Sequence, residues 1–121
     1  MIQTCKVFIS MPMAGLTHED IFQRQEKYFA IAKNYLKQKY AEFVLLQNVF
    51  SSEEDAAKSP LACFAKSIEV MAEADIVVLA GDWENARGCR LERAIAYAYG
   101  IKIMTINDDY DAFCDEGLIL Q

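Results

Sequence analysis

Glu92 closes a run, Arg87-Gly-Cys-Arg-Leu91, that follows the polar loop Gly81-Asp-Trp-Glu-Asn-Ala86. Placed within the first turn or so of a helix, its carboxylate would be favoured by free backbone N–H groups and the helix dipole. In a cleft such a group can attack an anomeric carbon, or stabilise an oxocarbenium-like transition state by charge alone. Acids at helix starts also stabilise helices without any other role, and a pairing of Glu92 with Arg90 or Arg93 would make it structural. The neighbouring Arg87, Gly88 and Arg90 combine a small residue, free N–H donors and two fork-shaped cations, a set able to hold phosphate. One glycine is neither a P-loop nor the three-glycine dinucleotide fingerprint, and the arginines serve equally as solvated counter-charges to the surrounding acids. Asp82, Trp83 and Asn85 suit a flat heterocycle, the ring stacking while the polar groups meet its edge. Trp83 could instead cap the core or sit at a subunit contact.

These residues need a frame, and the stretch from Asp75 to Thr105 supplies one. It reads as a buried strand, the polar loop, a helix opening at Arg87, a stop at Gly100 and a second buried strand. That is a βαβ unit, and its loop falls at the carboxyl ends of parallel strands, where open α/β sheets bind small molecules. Upstream, Lys6–Ser10 is a strand ending in the turn-prone Met11-Pro-Met-Ala-Gly15. Thr17 caps a helix expected to run to about Lys39, packing through Ile21, Gln25, Tyr28, Phe29, Ala32, Tyr35 and Leu36. Glu42–Leu46 reads as a strand buried on both faces. Residues 51–58 are a solvated polar stretch holding at most one helical turn, and Ser59-Pro60 opens another helix through Leu61, Phe64, Ile68 and Met71. After the fourth strand, residues 107–114 read as a loop with a last helical turn, and Glu116–Gln121 as a short edge strand or tail. The alternation predicts a three-layer α/β sandwich, its mainly parallel sheet of four or five strands in flavodoxin-like order. In that order Ser10–Leu16 and Gly81–Gly88 form two walls of one pocket.

Composition limits the partners. The 121 residues fit a single domain, 1–121, and a net charge of -6 argues against a sequence-independent grip on nucleic acid or anionic membranes. A hydrophobic share of 54% favours self-association. No secretory leader and no membrane-length apolar run is visible, so a cytoplasmic protein is expected. Four cysteines without a Cys-x-x-Cys pair, and one histidine, His18, make a metal centre unexpected; the cysteines read as small core residues. Cys89, at a helix start, is the position where a thiolate would be favoured, though no histidine lies nearby.

Three blocks, Phe8-Ile-Ser-Met-Pro-Met-Ala-Gly15, Ile68-Glu-Val-Met-Ala-Glu-Ala-Asp-Ile-Val-Val-Leu79 and Gly81 through Gly100, resemble the nucleoside 2-deoxyribosyltransferase superfamily. The likeness is nearer to its short uncharacterised members of phages and mobile elements, which carry a Gly-Trp-Glu-Asn-Ser-Arg-Gly-Ala-type loop. The resemblance implies a Rossmann-like fold, a homo-oligomer whose subunits complete each other's pockets, and cleavage of the N-glycosidic bond of a nucleoside or nucleotide without cofactor. It places the nucleophile at Glu92 and a base-holding aspartate at Asp82, and puts Ser10, Met11, Pro12 and Gly15 over sugar and base. Where the transferases carry Asp-Ser-Gly-Thr, this chain has Ala86-Arg-Gly-Cys89, and Phe8 replaces an aromatic hydroxyl. Arg87 is what a 5′-phosphate would favour, as in the superfamily's nucleotide N-glycosidases. Hydrolysis, deoxyribosyl transfer and ligand binding without turnover all stay open, as does a protein-contact module built on the Trp83 loop.

Overall fold

A computed structural model of the chain describes residues 3–47 and 59–114, with the Cys114 side chain outside that description. The polar stretch at 51–58 and the terminal Glu116–Gln121 segment lie outside the described residues.

The elements follow in the order β1 (Thr4–Ser10), α1 (His18–Leu36), β2 (Glu42–Leu45), α2 (Pro60–Met71), β3 (Ile76–Ala80), a 3-10 turn (Trp83–Asn85), α3 (Arg87–Ala98), β4 (Lys102–Ile106) and β5 (Ala112–Cys114). They form a five-stranded, mostly parallel α/β sheet in the order β2-β1-β3-β4-β5, with helices packed against it. That order belongs to doubly wound sheets of the flavodoxin type, whose switch point falls between β1 and β3.

Strand parity sorts the core. Successive side chains of a strand point to opposite faces. Val7 and Ile9 therefore join Tyr28, Ala32 and Leu36 of α1 in one cluster, while Phe8 joins Met71 of α2 and Cys89 and Ala96 of α3 in another. All five residues of β3 are buried, because that strand lies between two neighbours and beneath helices. Asp75 fastens its entry to β1: its carboxylate accepts from the Lys6 N–H at 2.8 Å and its own N–H donates to the Lys6 carbonyl at 2.8 Å.

Three local expectations need correction. Helix α1 ends at Leu36, short of Lys39, and its buried stripe is Ile21, Gln25, Tyr28, Ala32 and Leu36. Tyr35 falls off that stripe and is 43% exposed. Strand β2 is not buried on both faces; it is an edge strand with alternating exposure, and Val44 is 45% exposed. An apolar run alone does not distinguish an edge strand from an interior one. Residues 107–114 make no helical turn. The Asn107 side chain accepts from the N–H groups of Asp109 and Asp111, Tyr110 takes a left-handed φ of 63°, and the chain reverses into β5, antiparallel to β4. Tyr110 is held there by Tyr28, ring centroids 5.8 Å apart, and by Lys27 over its face.

The cap at Thr17 is present, its hydroxyl accepting from the Asp20 N–H at 3.1 Å. Thr17→Ala leaves that donor to water and is expected to lower stability by about 1 kcal/mol, read from the midpoint of urea denaturation. An unchanged midpoint would mean that the Thr17 cap adds nothing to stability.

Candidate active site

A cavity of about 650 Å³ opens where the β1 and β3 loops meet. Met11, Pro12, Met13 and Ala14 line it from the loop after β1. Asp82, Asn85 and Ala86 line it from the loop after β3, and Arg87, Gly88, Cys89 and Glu92 from the start of α3. A third wall comes from α2, through Pro60, Cys63, Phe64 and Ser67.

Glu92 is the sixth residue of α3, so it lies in the second turn and not in the first, where there is no acid. Its place is set by the buried stripe Cys89, Glu92, Ala96, which faces the sheet. A helical side chain leans toward the N-terminus of its helix, which brings the carboxylate to the cavity rather than deeper into the core. It is only 6% exposed. Ser10 shares the parity of Phe8 at the carboxyl end of β1, so its hydroxyl also points to the α3 face. There it donates to Glu92 Oε1 at 2.7 Å. Burial pushes the Glu92 carboxyl up to about 7, against the lowering effect of that hydrogen bond. The carboxyl is thus poised between its two forms at neutral pH.

Cys89 does not carry a thiolate. Burial pushes its thiol up to about 11, with the neighbouring Glu92 acting in the same direction and a hydrogen bond with Ser10 opposing them. Ser10 has a single proton, which the short bond commits to Glu92 while that carboxylate is ionised. The neutral thiol of Cys89 can then only donate toward the Ser10 oxygen. Cys5 is buried and neutral as well, and Cys63 is half-buried at the cavity wall.

At the rim, Asn85 donates to Asp82 Oδ1 at 2.7 Å. This holds the amide against the carboxylate, leaving one N–H of Asn85, its carbonyl oxygen and the second Asp82 oxygen available to a ligand edge. Ala86 stands at the N-cap of α3 and has no side chain able to cap it. The first N–H groups of the helix therefore stay uncapped beside the Arg87 side chain, a setting that favours an anion.

Of the residues singled out in sequence, Met11, Pro12, Asp82, Asn85, Arg87, Gly88 and Glu92 border one cavity, and Ser10 supports it from below through Glu92. Gly15, Trp83 and Arg90 are not among its lining residues. Trp83 is half-buried against the Phe8 and Leu79 core cluster, and Arg90 is exposed. The α2 wall was not apparent from sequence. The stripe Leu61, Phe64, Ile68, Met71 reads as core throughout, whereas Leu61 is 74% exposed and Phe64 borders the cavity, leaving Ile68 and Met71 to pack on the core. Among the described residues no group of three or more His, Cys, Asp or Glu side chains could hold a metal ion. None of the described helices is long and apolar enough to cross a membrane.

A family model described as Domain of unknown function (DUF4406) matches residues 5–105. The chain belongs to that family. The matched span runs from β1 into β4 and includes all the described residues that line the cavity. No curated protein and no solved structure matches the chain. The likeness to nucleoside 2-deoxyribosyltransferases therefore rests on the three sequence blocks.

Proposed function

We propose that this DUF4406 chain cleaves the N-glycosidic bond of a nucleoside or nucleoside 5′-monophosphate, by hydrolysis or by deoxyribosyl transfer. The observation that carries the reading is the buried Glu92 carboxylate, held by Ser10 at the wall of a cavity large enough for a nucleotide. A carboxylate on the core face of a helix costs stability, and a cavity beside it gives that cost a use. Glu92 attacks the anomeric carbon as the base leaves carrying a proton, and water or an acceptor base then breaks the glycosyl ester. In the other form it stabilises positive charge while water or the acceptor attacks directly. Asp82 and Asn85 hold the base edge, and Arg87 with the uncapped start of α3 receives a 5′-phosphate. The reaction needs no metal or organic cofactor. The same reading takes the protein as a cytoplasmic homo-oligomer with a three-layer, Rossmann-like sandwich in the nucleoside 2-deoxyribosyltransferase superfamily.

The competing function is a nucleotide-binding or sensing protein that uses the same cavity without turnover. One feature favours it: with its carboxyl near 7, a share of Glu92 is protonated at neutral pH and cannot attack carbon. Release of base separates the two. The protein is incubated with deoxynucleosides and their 5′-monophosphates, and free base is measured by chromatography. Wild type is expected to release base from at least one of them, and equal, background release by wild type and Glu92→Gln would leave only binding.

Arg87 supplies a second test. Arg87→Ala removes a charge-assisted contact of about 1.5–3 kcal/mol and is expected to raise KM for the preferred 5′-monophosphate roughly tenfold or more. KM for the parent nucleoside should hardly move. Equal effects on both substrates would take the phosphate away from the start of α3.

A further inference from the structure

We propose that Phe64 of α2, and not Trp83, is the platform on which the flat heterocycle of the ligand lies. This rests on the cavity being a nucleoside or nucleotide site, and it adds a specificity-determining residue from an element outside the two loops. On α2, Phe64, Ile68 and Met71 follow one another along a single helical stripe. Met71 is buried and Ile68 packs against the Phe8 and Leu79 cluster. Phe64, a turn nearer the helix start, leaves that cluster and borders the cavity half-buried. It is the one aromatic among the described residues that line it.

The surroundings suit a ring. Pro60 stands beside Phe64 on α2, and Met11, Pro12 and Met13 supply apolar groups from the β1 loop, so the cavity has apolar walls on two separate elements. Most of the polar groups, Asp82, Asn85, Arg87 and Glu92, come from the β3 loop and α3, with Ser67 on α2 the exception. A ligand that satisfies both sets has an apolar face and a polar edge, which is the chemistry of a nucleobase. Trp83 does not line the cavity and packs against the core cluster instead.

The probes are the four 2′-deoxynucleoside 5′-monophosphates and, as a ligand without a base, 2-deoxyribose 5-phosphate, with binding measured by calorimetry on the intact chain. Phe64→Ala is expected to weaken the tightest-bound nucleotide about tenfold or more, as loss of one base–aromatic stack does. Phe64→Leu keeps apolar bulk without a π face and should lose nearly as much, whereas Phe64→Trp should restore binding. Leu61→Ala, on the same helix but 74% exposed, should bind like wild type. Affinity for 2-deoxyribose 5-phosphate should be the same in wild type and in the Phe64 variants. Nucleotide binding unchanged in Phe64→Ala and Phe64→Leu would overturn the platform while leaving the nucleotide site standing. Equal losses for nucleotide and sugar phosphate would also overturn it, by showing that Phe64 only shapes the wall. If no nucleotide binds wild type at all, both the site and its platform are refuted.

Discussion

Glu92→Gln is expected to abolish base release, by on the order of 10³-fold or more, while making the protein more stable at pH 8. The opposite signs come from one cause. In the unfolded chain the carboxyl ionises near 4.5, and in the fold burial holds its proton to about 7. Below 4.5 the group is protonated in both states and has no effect on stability. Between 4.5 and 7 the unfolded chain sheds a proton that the fold still keeps, so stability falls as pH rises. Above about 7 the penalty levels off at roughly 3–4 kcal/mol, taking about 1.4 kcal/mol for each tenfold change in proton affinity. Glutamine preserves the shape and can still accept from Ser10, but it carries no charge to desolvate. The variant should therefore melt roughly 10 °C above wild type at pH 8 and close to it at pH 4, by scanning calorimetry. Loss of turnover in a protein that has become more stable cannot be ascribed to unfolding. The wild-type kcat/KM should in turn rise with pH through about 7, as the attacking form is the ionised one. Melting curves of variant and wild type that run parallel from pH 4 to pH 8 would mean that water reaches Glu92.

The second large effect is expected at Gly81→Ala, where β3 turns into the site loop. Gly81 has a φ of 67°, a conformation that costs an L-residue about 1–2 kcal/mol. Its N–H is tied to the Ile106 carbonyl at 2.8 Å, so the backbone cannot easily rotate away. A methyl group there would stand 3.0 Å from the Tyr28 hydroxyl and 3.4 Å from Asp108 Oδ1. Tyr28 is buried and packed against the Tyr110 ring, so it has little room to yield. Strain and crowding together should cost about 2–4 kcal/mol in urea denaturation. They should also disturb Asp82, the next residue and a member of the cavity wall. The double variant Gly81→Ala with Tyr28→Phe removes the nearest atom and should recover the crowding part of the loss, leaving the backbone part. A Gly81→Ala protein as stable as wild type would show that the turn adapts at no cost.

Both effects concern residues whose identity is plain in sequence but whose surroundings are not. The alternation of apolar runs and amphipathic stretches determines the α/β class, the parallel β3–α3–β4 unit and the presence of loops at one sheet edge, because side-chain period and chain connection are local properties. It also brings the β1 loop and the Asp82–Glu92 segment to one place, since strand order and parity leave Ser10 facing α3. The edge position of β2 was not legible, because a short apolar run looks alike at the rim and in the middle of a sheet. Nor was the reversal at Asn107, where side-chain hydrogen bonds to the backbone outweigh the weak helical propensity of the segment. At the site, the sequence by itself determined which carboxylate, arginine and loop residues share a sheet edge. Only the tertiary structure decided that Glu92 is a buried second-turn residue bonded to Ser10, that Trp83 packs into the core, and that α2 brings Phe64 to the cavity. Burial and the meeting of α2 with the loops of β1 and β3 arise from contacts between segments far apart in the chain, and no local pattern encodes them.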